Sequence, residues 1–504
     1  MSNAIPAAAK DQPDASSSSG SKSAVDLPAG TITVKSTFVS RLVSLLAIGL
    51  ALSLIFNSQE DASLYDPLKA CVGFSILAYL ITVNLIPILA PEFVRVGFFG
   101  KDLGKKDRPV IAETMGAVCA VVYLVSMFFF IPFLFYKYYV TSTSGGGNRE
   151  QGYDAAVELL HKGRALRMFP HSKLAEYLAA LLSLFSMLVL GVADDLFDIR
   201  WRNKLFMPAI AALPMMFVYY VDFGVTRVVV PEFAYKVFFP ESLAYPTTID
   251  LGALYYVYML SLAIFLPNSI NILAGVNGLE AGQAFVIAIF LLLNDALYIL
   301  PSRLFGLPEH PGTEAHLFST YFTLPLVAVT LALLRFNWFP ARVFVGDTYC
   351  YFAGMVLAQV GIVGHFAKTL MLFLVPQVFN FLYSAPQLFH LVDCPRHRLP
   401  KLNTETGLLE PSRVYFPTKP RKLQTLLLRT MSIFKLIHLE YDSKTGAIAS
   451  ASNMTLINLI LTWTGPLRED RLALVLLLIQ GFTCMVGLTA RHTIAPIIFG
   501  RDNI

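Results

Sequence analysis

Apolar stretches of roughly 20 residues, each long enough to cross the hydrocarbon core of a bilayer as one helix, recur along this whole chain. They lie near residues 71–92, 110–136, 173–190, 205–222, 250–267, 279–300, 320–335, 348–362, 367–389 and 471–489. A further run at 37–56, interrupted early by Arg41, is a candidate additional span whose cation can snorkel to the interface. In lipid every backbone N–H and C=O has to be bonded inside the structure, which restricts spanning chains to helices and closed barrels. Uninterrupted runs of this length select helices, and 55% hydrophobic against 14% charged residues agrees with that choice. The expected fold is an all-α polytopic membrane protein: a bundle of about ten transmembrane helices with a small mixed α/β cytoplasmic insertion before the last one.

The chain divides accordingly. Residues 1–35, rich in Ala, Ser, Asp and Lys without apolar periodicity, read as a disordered tail, and 36–66 holds the candidate extra span. Residues 67–389 form a transmembrane catalytic core, 390–470 a substrate-binding insertion, and 471–504 the last span and a C-terminal tail. Because successive spans alternate direction, the loops at 93–109, 191–204, 268–278, 336–347 and 390–470 share one face. They hold most of the Lys and Arg, so this face is read as cytoplasmic. The opposite loop at 137–172, basic and Gly/Ser-rich, argues against that orientation and is read as an exposed insertion. The five cysteines are scattered without metal-ligand spacing, and a dispersed net charge of +5 gives no footprint for nucleic acid. Asn453-Met-Thr455 matches a glycosylation acceptor but falls on the cytoplasmic side, where it is discounted.

The chemistry concentrates in five polar segments on that face. Asp194 and Asp195 are adjacent, with Asp198 and Lys204 following. A charge at the middle of a membrane helix costs roughly 2.5–3.5 kcal/mol on insertion scales, so acids retained beside a span need a partner, water or a task. Their plain reading is a solvated loop neutralised by Arg200, Arg202 or Lys204. In the stretch 267–282, Asn268 and Asn271 share a face if helical, while Gly275 and Gly278 let backbone approach a flat ligand. Its plain reading is a helix-breaking turn bonded by its own amides. Asp347 precedes an apolar run and is either a helix N-cap or a ligand. Arg396, His397 and Arg398 sit between two prolines, as a phosphate fork or as a topological signal. Lys101, Asp102, Leu103 and Glu113 make the fifth group, with interfacial exposure the simple account of Glu113. Asp194, Asp195, Asp198, Asn271 and Asp347 are the candidate oxygen donors for a hard cation such as Mg²⁺. Asn294-Asp295 lies toward the other face and is left out.

Together the Ala-Asp-Asp-x-x-Asp and Arg-Trp-Arg-x-Lys of 193–204, the Asn-x-Ile-Asn-Ile-Leu-Ala-Gly-x-Asn-Gly-Leu-Glu-Ala-Gly of 268–282, the Phe-Val-Gly-Asp-Thr of 344–348 and Arg-His-Arg of 396–398 resemble the polyprenyl-phosphate N-acetylhexosamine-1-phosphate transferases. The Asn-rich and Arg-His-Arg segments favour the eukaryotic branch. This resemblance, over residues 71–489, implies transfer of GlcNAc-1-phosphate from UDP-GlcNAc to dolichyl phosphate with release of UMP. It implies a multi-pass, homodimeric enzyme of the endoplasmic reticulum membrane with its site facing the cytosol. It places Asn271 and Asp347 on Mg²⁺, and Lys204 and the Asn268 region on dolichyl phosphate. Lys101 to Leu103, Gly275, Asn277 and Phe344 would line the uridine pocket, and Glu113, Arg396, His397 and Arg398 would hold sugar and diphosphate. Asp194 and Asp195 complete the expected catalytic set by positioning Lys204 and the acceptor or by orienting metal-bound water. Because the acceptor is already an anion, direct single displacement is favoured over an aspartyl-phosphate intermediate. A nucleotide-sugar transporter would instead place its polar site near the midplane, with internal repeats. An inactive scaffold would show a broken ligand set. Neither pattern is present in the sequence.

Overall fold

The computed structural model describes residues 38–59, 65–136, 170–197, 199–230, 248–306, 308, 310–395, 398–416, 420–442 and 446–499. The tail 1–35, nearly all of the 137–172 loop, Asp198, Arg396 and His397 lie outside the described residues. Helix α1 spans Phe38–Phe56 and α2 spans Asp66–Val96; the hairpin β1 (Phe99–Lys101) and β2 (Val110–Ala112) leads into α3 (Gly116–Leu134). Next come α4 (His171–Phe197), the single turn α5 (Trp201–Lys204), α6 (Met207–Asp222), the hairpin β3 (Arg227–Val229) and β4 (Thr248–Asp250), and α7 (Ala253–Ile272). Helices α8 (Leu279–Phe305), α9 (Thr313–Asn337), α10 (Gly346–Val363), α11 (Ala367–Phe373) and α12 (Val375–Leu388) complete the main bundle. After the insertion, α15 (Glu469–Thr489) crosses back.

Each expected apolar run coincides with a helix or helix pair. By length and composition, seven helices among the described residues are membrane-capable, namely α2, α3, α4, α7, α8, α9 and α15 with its extension to Phe499. The pair α11–α12, bent by 68°, makes an eighth, while α1 and α6 are apolar but shorter. The expected start of the second span at residue 110 is corrected, because Val110–Ala112 pairs in the β1–β2 hairpin and α3 begins only at Gly116. Glu113 is therefore in the turn before α3 and not inside a span.

The spans are apolar on both sides, as bilayer helices must be. On α4, Leu178, Leu182, Phe185 and Val189 form an exposed stripe, while Tyr177, Leu181, Leu184 and Leu188 on the other side are buried. Helix α10 is the hub, with Thr348 through Val363 all buried among α3, α4, α7 and α9. Gly191 makes this packing possible, since a Cβ there would lie 2.6 Å from Thr348 Cα. Buried glutamines satisfy backbone groups where helices end or break. Gln283 donates to the Ile270 and Leu273 carbonyls at the end of α7 (3.2 and 2.9 Å), and Gln480 donates to Phe373 O at the α11–α12 bend (2.7 Å).

The expected insertion is a mixed structure with its own core. It contains the hairpin β5 (Lys401–Leu402) and β6 (Leu409–Glu410), then β7 (Arg413–Tyr415), α13 (Lys422–Ile433), β8 (Leu439–Tyr441), β9 (Ile448–Ser452) and α14 (Leu456–Thr464). Strands β7, β9 and β8 form an antiparallel sheet in that order. Val414, Leu428, Ile437, Ile448 and Ala451 pack with Leu472 and Leu476 of α15. A polar face of α12 seats the insertion: Asn380 Oδ1 accepts Leu456 N (2.8 Å), Ser384 Oγ donates to Met454 O (2.7 Å) and Gln387 Oε1 accepts Met454 N (2.9 Å). These three positions recur at helical spacing, so one stripe fixes the insertion over the helix ends.

Candidate active site

The C-termini of α7 and α9 meet the N-termini of α8, α10 and α15 around one cavity of about 790 Å³. Alternation of helix direction brings these ends to the same face of the bundle. The β1–β2 hairpin contributes Lys101, Asp102, Leu103 and, at its exit, Glu113; the insertion contributes Arg398, Leu399 and Pro400. Asn268, Asn271, Gly275, Asn277, Phe344, Asp347 and Lys204 line it as well. Residues from five distant segments are thus brought together.

Asp347 stands in the first turn of α10, which starts at Gly346 and not at Thr348. The N-cap position is Val345, which has no side-chain acceptor, so the orphan N–H groups are bonded from another helix. Asp195, at the end of α4, accepts from Asp347 N (2.8 Å), Thr348 N (3.3 Å) and Thr348 Oγ1 (2.6 Å). Of the two readings of Asp347, cap or ligand, the cap is excluded: Asp195 caps, and Asp347 lines the cavity. Gly346 has φ +75°, and a Cβ there would fall 2.7 Å from Asp195 Oδ2. That close approach keeps the tight turn bare.

Asp194 is buried, accepting from Ile199 N (3.1 Å) and from Lys204 Nζ (2.9 Å). The same ammonium reaches Asp347 Oδ2 at 2.7 Å, so Lys204 is clamped between two carboxylates. Burial alone would lower the Lys204 pKa, but Asp347 and Asp194 outweigh it and hold the value above the ordinary lysine range. Neither Asp194 nor Asp195 lines the cavity. Asp194 holds the Lys204 ammonium, and Asp195 holds the backbone at Asp347. The charge-preserving substitution Asp195→Glu is expected to reduce turnover about 10-fold or more, because the longer side chain displaces the α10 N-terminus, while the metal concentration for half-maximal activity changes less. Equal losses in both readouts would return Asp195 to the metal.

Beside this clamp lies a second polar cluster. Lys105 forms ion pairs with Glu469 and with Asp102 (3.3 Å) and donates to Asn277 Oδ1 (3.0 Å). Glu469 Oε1 accepts Asn277 N at 2.8 Å, and Asn277 Oδ1 also takes Ala341 N at 3.0 Å. This cluster ties the hairpin loop, the α7–α8 turn, the α9–α10 loop and α15 together around the end of the cavity. Asn277, expected to meet ligand, thus has its amide oxygen engaged by protein. Gly275 and Gly278 take φ +101° and +80° as a tight turn requires, yet the space over them is filled by the Leu399 and Trp338 side chains. Gly278 does not line the cavity, whereas Gly275 does, beside Leu399. Asn268 likewise turns its amide nitrogen to Ile264 O (2.8 Å) and Leu205 O (3.3 Å).

Sequence reasoning missed Lys105, Glu280, Asn337 and Glu469. Glu280 Oε1 receives Gly275 N (2.7 Å), and Asn337 receives Gly278 N (3.1 Å) while donating to Val343 O (3.0 Å). Glu280 was visible as an acid inside an Asn/Gly-rich turn. Glu469 falls two residues before the expected start of the last span, within the insertion, whereas α15 begins at it.

The insertion supplies Arg398. Its carbonyl is held by Asn458 Nδ2 (2.8 Å) and Ser412 Oγ (3.1 Å), which aims the side chain into the cavity lining. Its Nη1 is buried and has no hydrogen-bond partner among the described residues, and burial lowers the guanidinium pKa. A buried cation of this kind is relieved by an anion beside it. Asn271, three residues after Asn268 on α7, makes no side-chain hydrogen bond among the described residues and lines the same cavity.

Among the described residues no group of three or more His, Cys, Asp and Glu is arranged to hold an ion. Five carboxylates line the cavity, of which Asp102 and Glu469 pair with Lys105, Glu280 accepts Gly275 N, Glu113 stands at the hairpin exit, and Asp347, paired with Lys204, stands at the α10 N-terminus on the same lining as Asn271. Mg²⁺ keeps several waters and takes one or two carboxylates plus substrate phosphate, so the pair Asp347 and Asn271 fits it without the carboxylates that are bonded to protein.

The fold and site define a polytopic helical membrane protein with a polar cavity at its helix ends, and the family model described as glycosyl transferase family 4 matches residues 177–365. The chain is 51% identical over 464 residues to the UDP-N-acetylglucosamine–dolichyl-phosphate N-acetylglucosaminephosphotransferase of Saccharomyces cerevisiae, covering 92% of this chain and 99% of that protein. The Schizosaccharomyces pombe enzyme of the same name is 50% identical over 92% of this chain and 98% of its own length. The Dictyostelium discoideum enzyme is 38% identical over 83% and 88%. The chain belongs to the family of UDP-N-acetylglucosamine–dolichyl-phosphate N-acetylglucosaminephosphotransferases and is an enzyme of that class.

Proposed function

We propose that this enzyme transfers GlcNAc-1-phosphate from UDP-GlcNAc to dolichyl phosphate, with Mg²⁺, by direct single displacement. The observation that carries this reading is the buried Arg398 Nη1, without a hydrogen-bond partner among the described residues, in the same cavity as Lys204, Asp347 and Asn271. Two cations from separate elements and the pair Asp347 and Asn271 suit a diphosphate bound with its metal. Asn271 and Asp347 would hold the ion, which supplies neutralisation of diphosphate charge. Lys204, held cationic by its two carboxylates, would meet the acceptor phosphate and offset the repulsion between two anions. Arg398 would hold the donor diphosphate from the opposite side, and the Lys105–Glu469–Asn277 cluster would keep the nucleotide end of the cavity rigid. The acceptor oxygen arrives ionised, so no carboxylate needs to act as a strong base.

The basic loops on the cavity's face support a cytosolic orientation, and the yeast and slime-mould relatives suit an endoplasmic reticulum membrane enzyme, which would be a ten-span bundle and a homodimer. This transfer would open the assembly of the lipid-linked oligosaccharide for N-glycosylation. The test uses purified chain in vesicles with labelled UDP-GlcNAc, dolichyl phosphate and Mg²⁺; absence of both UMP and a labelled lipid from folded protein refutes it. Substituting UDP-GalNAc or UDP-glucose in the same assay tests the sugar. Arg398→Ala is expected to lower kcat/KM for the donor about 100-fold, or roughly 2.7 kcal/mol, with most of the loss independent of dolichyl phosphate concentration. An unchanged kcat/KM would remove Arg398 from the diphosphate.

A further inference from the structure

Between residues 411 and 439 the insertion carries six Lys or Arg and neither Asp nor Glu. Helix α13 lies in this stretch. One of its faces, represented by Leu428, is buried in the insertion's core, but Leu423, Leu426 and Ile433 form a second apolar stripe at helical spacing. Those three are 70%, 65% and 77% exposed, and Phe434 just beyond the helix is 69% exposed. Lys422 and Arg429, seven residues apart, run along the edge of that stripe, with Lys435 at its end; none of the three makes an ion pair among the described residues.

The end of α13 is tied to the chain where it enters and leaves the membrane. Tyr383, near the end of α12, donates its hydroxyl to Leu436 O at 2.5 Å. Trp463, six residues before α15 begins, donates its indole N–H to Lys435 O at 2.7 Å while over half its surface is exposed. Five residues of helix separate Tyr383 from the end of α12, a rise of only about 8 Å. The end of α13 is therefore tied within about 8 Å of the end of a helix of the membrane bundle.

We propose that α13 is an in-plane anchor: Leu423, Leu426, Ile433 and Phe434 enter the headgroup layer, Trp463 sits at its edge, and Lys422, Arg429 and Lys435 bind acidic phospholipid headgroups. An apolar face flanked by cations, with an aromatic at the boundary, is the pattern of helices that lie in a membrane surface. Absence of acids along the stretch makes the charge complementarity one-sided. The anchor holds the insertion, and with it Arg398, against the helix ends.

The test uses full-length protein in which Cys394, the one cysteine not buried, is replaced by Ser. A fluorophore is attached at Leu426→Cys, Ile433→Cys or, as a control on the exposed β5–β6 turn, Glu405→Cys. The protein is reconstituted in phosphatidylcholine vesicles with or without phosphatidylserine. Labels at 426 and 433 are expected to be quenched severalfold more by nitroxide lipids than the label at 405, to be shielded from iodide, and to deepen with phosphatidylserine. The triple change Lys422→Glu, Arg429→Glu and Lys435→Glu is expected to abolish the response to phosphatidylserine. Iodide access at 426 and 433 equal to that at 405 in both vesicle types overturns the proposal and leaves the stripe for a protein partner. A phosphatidylserine response that survives the triple change overturns the headgroup assignment.

Discussion

Asp347→Asn is expected to lower turnover by about 10³-fold, roughly 4 kcal/mol of transition-state stabilisation, while thermal unfolding is nearly unchanged. The separation of the two effects follows from the way α10 is capped. Asp195 binds the backbone N–H groups of residues 347 and 348, and an asparagine at 347 preserves the first of them. Lys204 keeps its bond to Asp194 at 2.9 Å, so no buried acid is stranded. What disappears is the carboxylate that faces the cavity beside Asn271, and the Mg²⁺ concentration for half-maximal activity is expected to rise with the loss. Turnover measured in vesicles, together with unfolding in detergent, decides the matter. Near-normal turnover would exclude Asp347 from the reacting centre.

Lys204→Met is expected to be as damaging to turnover and, unlike the first change, to destabilise the fold by about 3–5 kcal/mol. The reason is Asp194, which is 3% exposed and loses its only countercharge among the described residues. Adding Asp194→Asn to Lys204→Met neutralises the stranded acid and is expected to restore most of the stability without restoring turnover. Recovery of both would make Lys204 a structural cation only. The folded-state pKa of Lys204 is raised, so its ion pairs are intact below the ordinary lysine range and fade only as pH climbs through the higher folded value. Any fall in activity between neutral and mildly alkaline pH therefore has another source.

The helices were legible because hydropathy is a local property: each run of apolar residues specifies a helix wherever its neighbours lie. The start of α3 was misjudged because Val110, Ile111 and Ala112 are as apolar as the helix that follows, and only pairing with Phe99–Lys101 makes them a strand. At the site, the polar segments could be identified as a set, since polar groups flanking spans are costly without a purpose. Their individual tasks were not separable. Asp194 and Asp195 read as equivalent neighbours, yet their side chains serve Lys204 and the α10 N-terminus. Gly275 and Gly278 were correctly singled out as sites of close approach, but the approaching groups are Leu399 and Trp338. Lys105 and Glu469 carried no signal, because a hairpin lysine and a first-turn glutamate 364 residues apart become a pair only through folding.

By itself, then, the sequence determined that this chain crosses a membrane several times and which segments hold its chemistry. Periodicity and desolvation cost act on each segment separately. Tertiary structure alone decided which acid caps, which clamps and which faces the cavity. Those distinctions arise from contacts such as Asp195 with Asp347, 152 residues away, where a hydrogen bond depends on angles and distances that no linear pattern encodes.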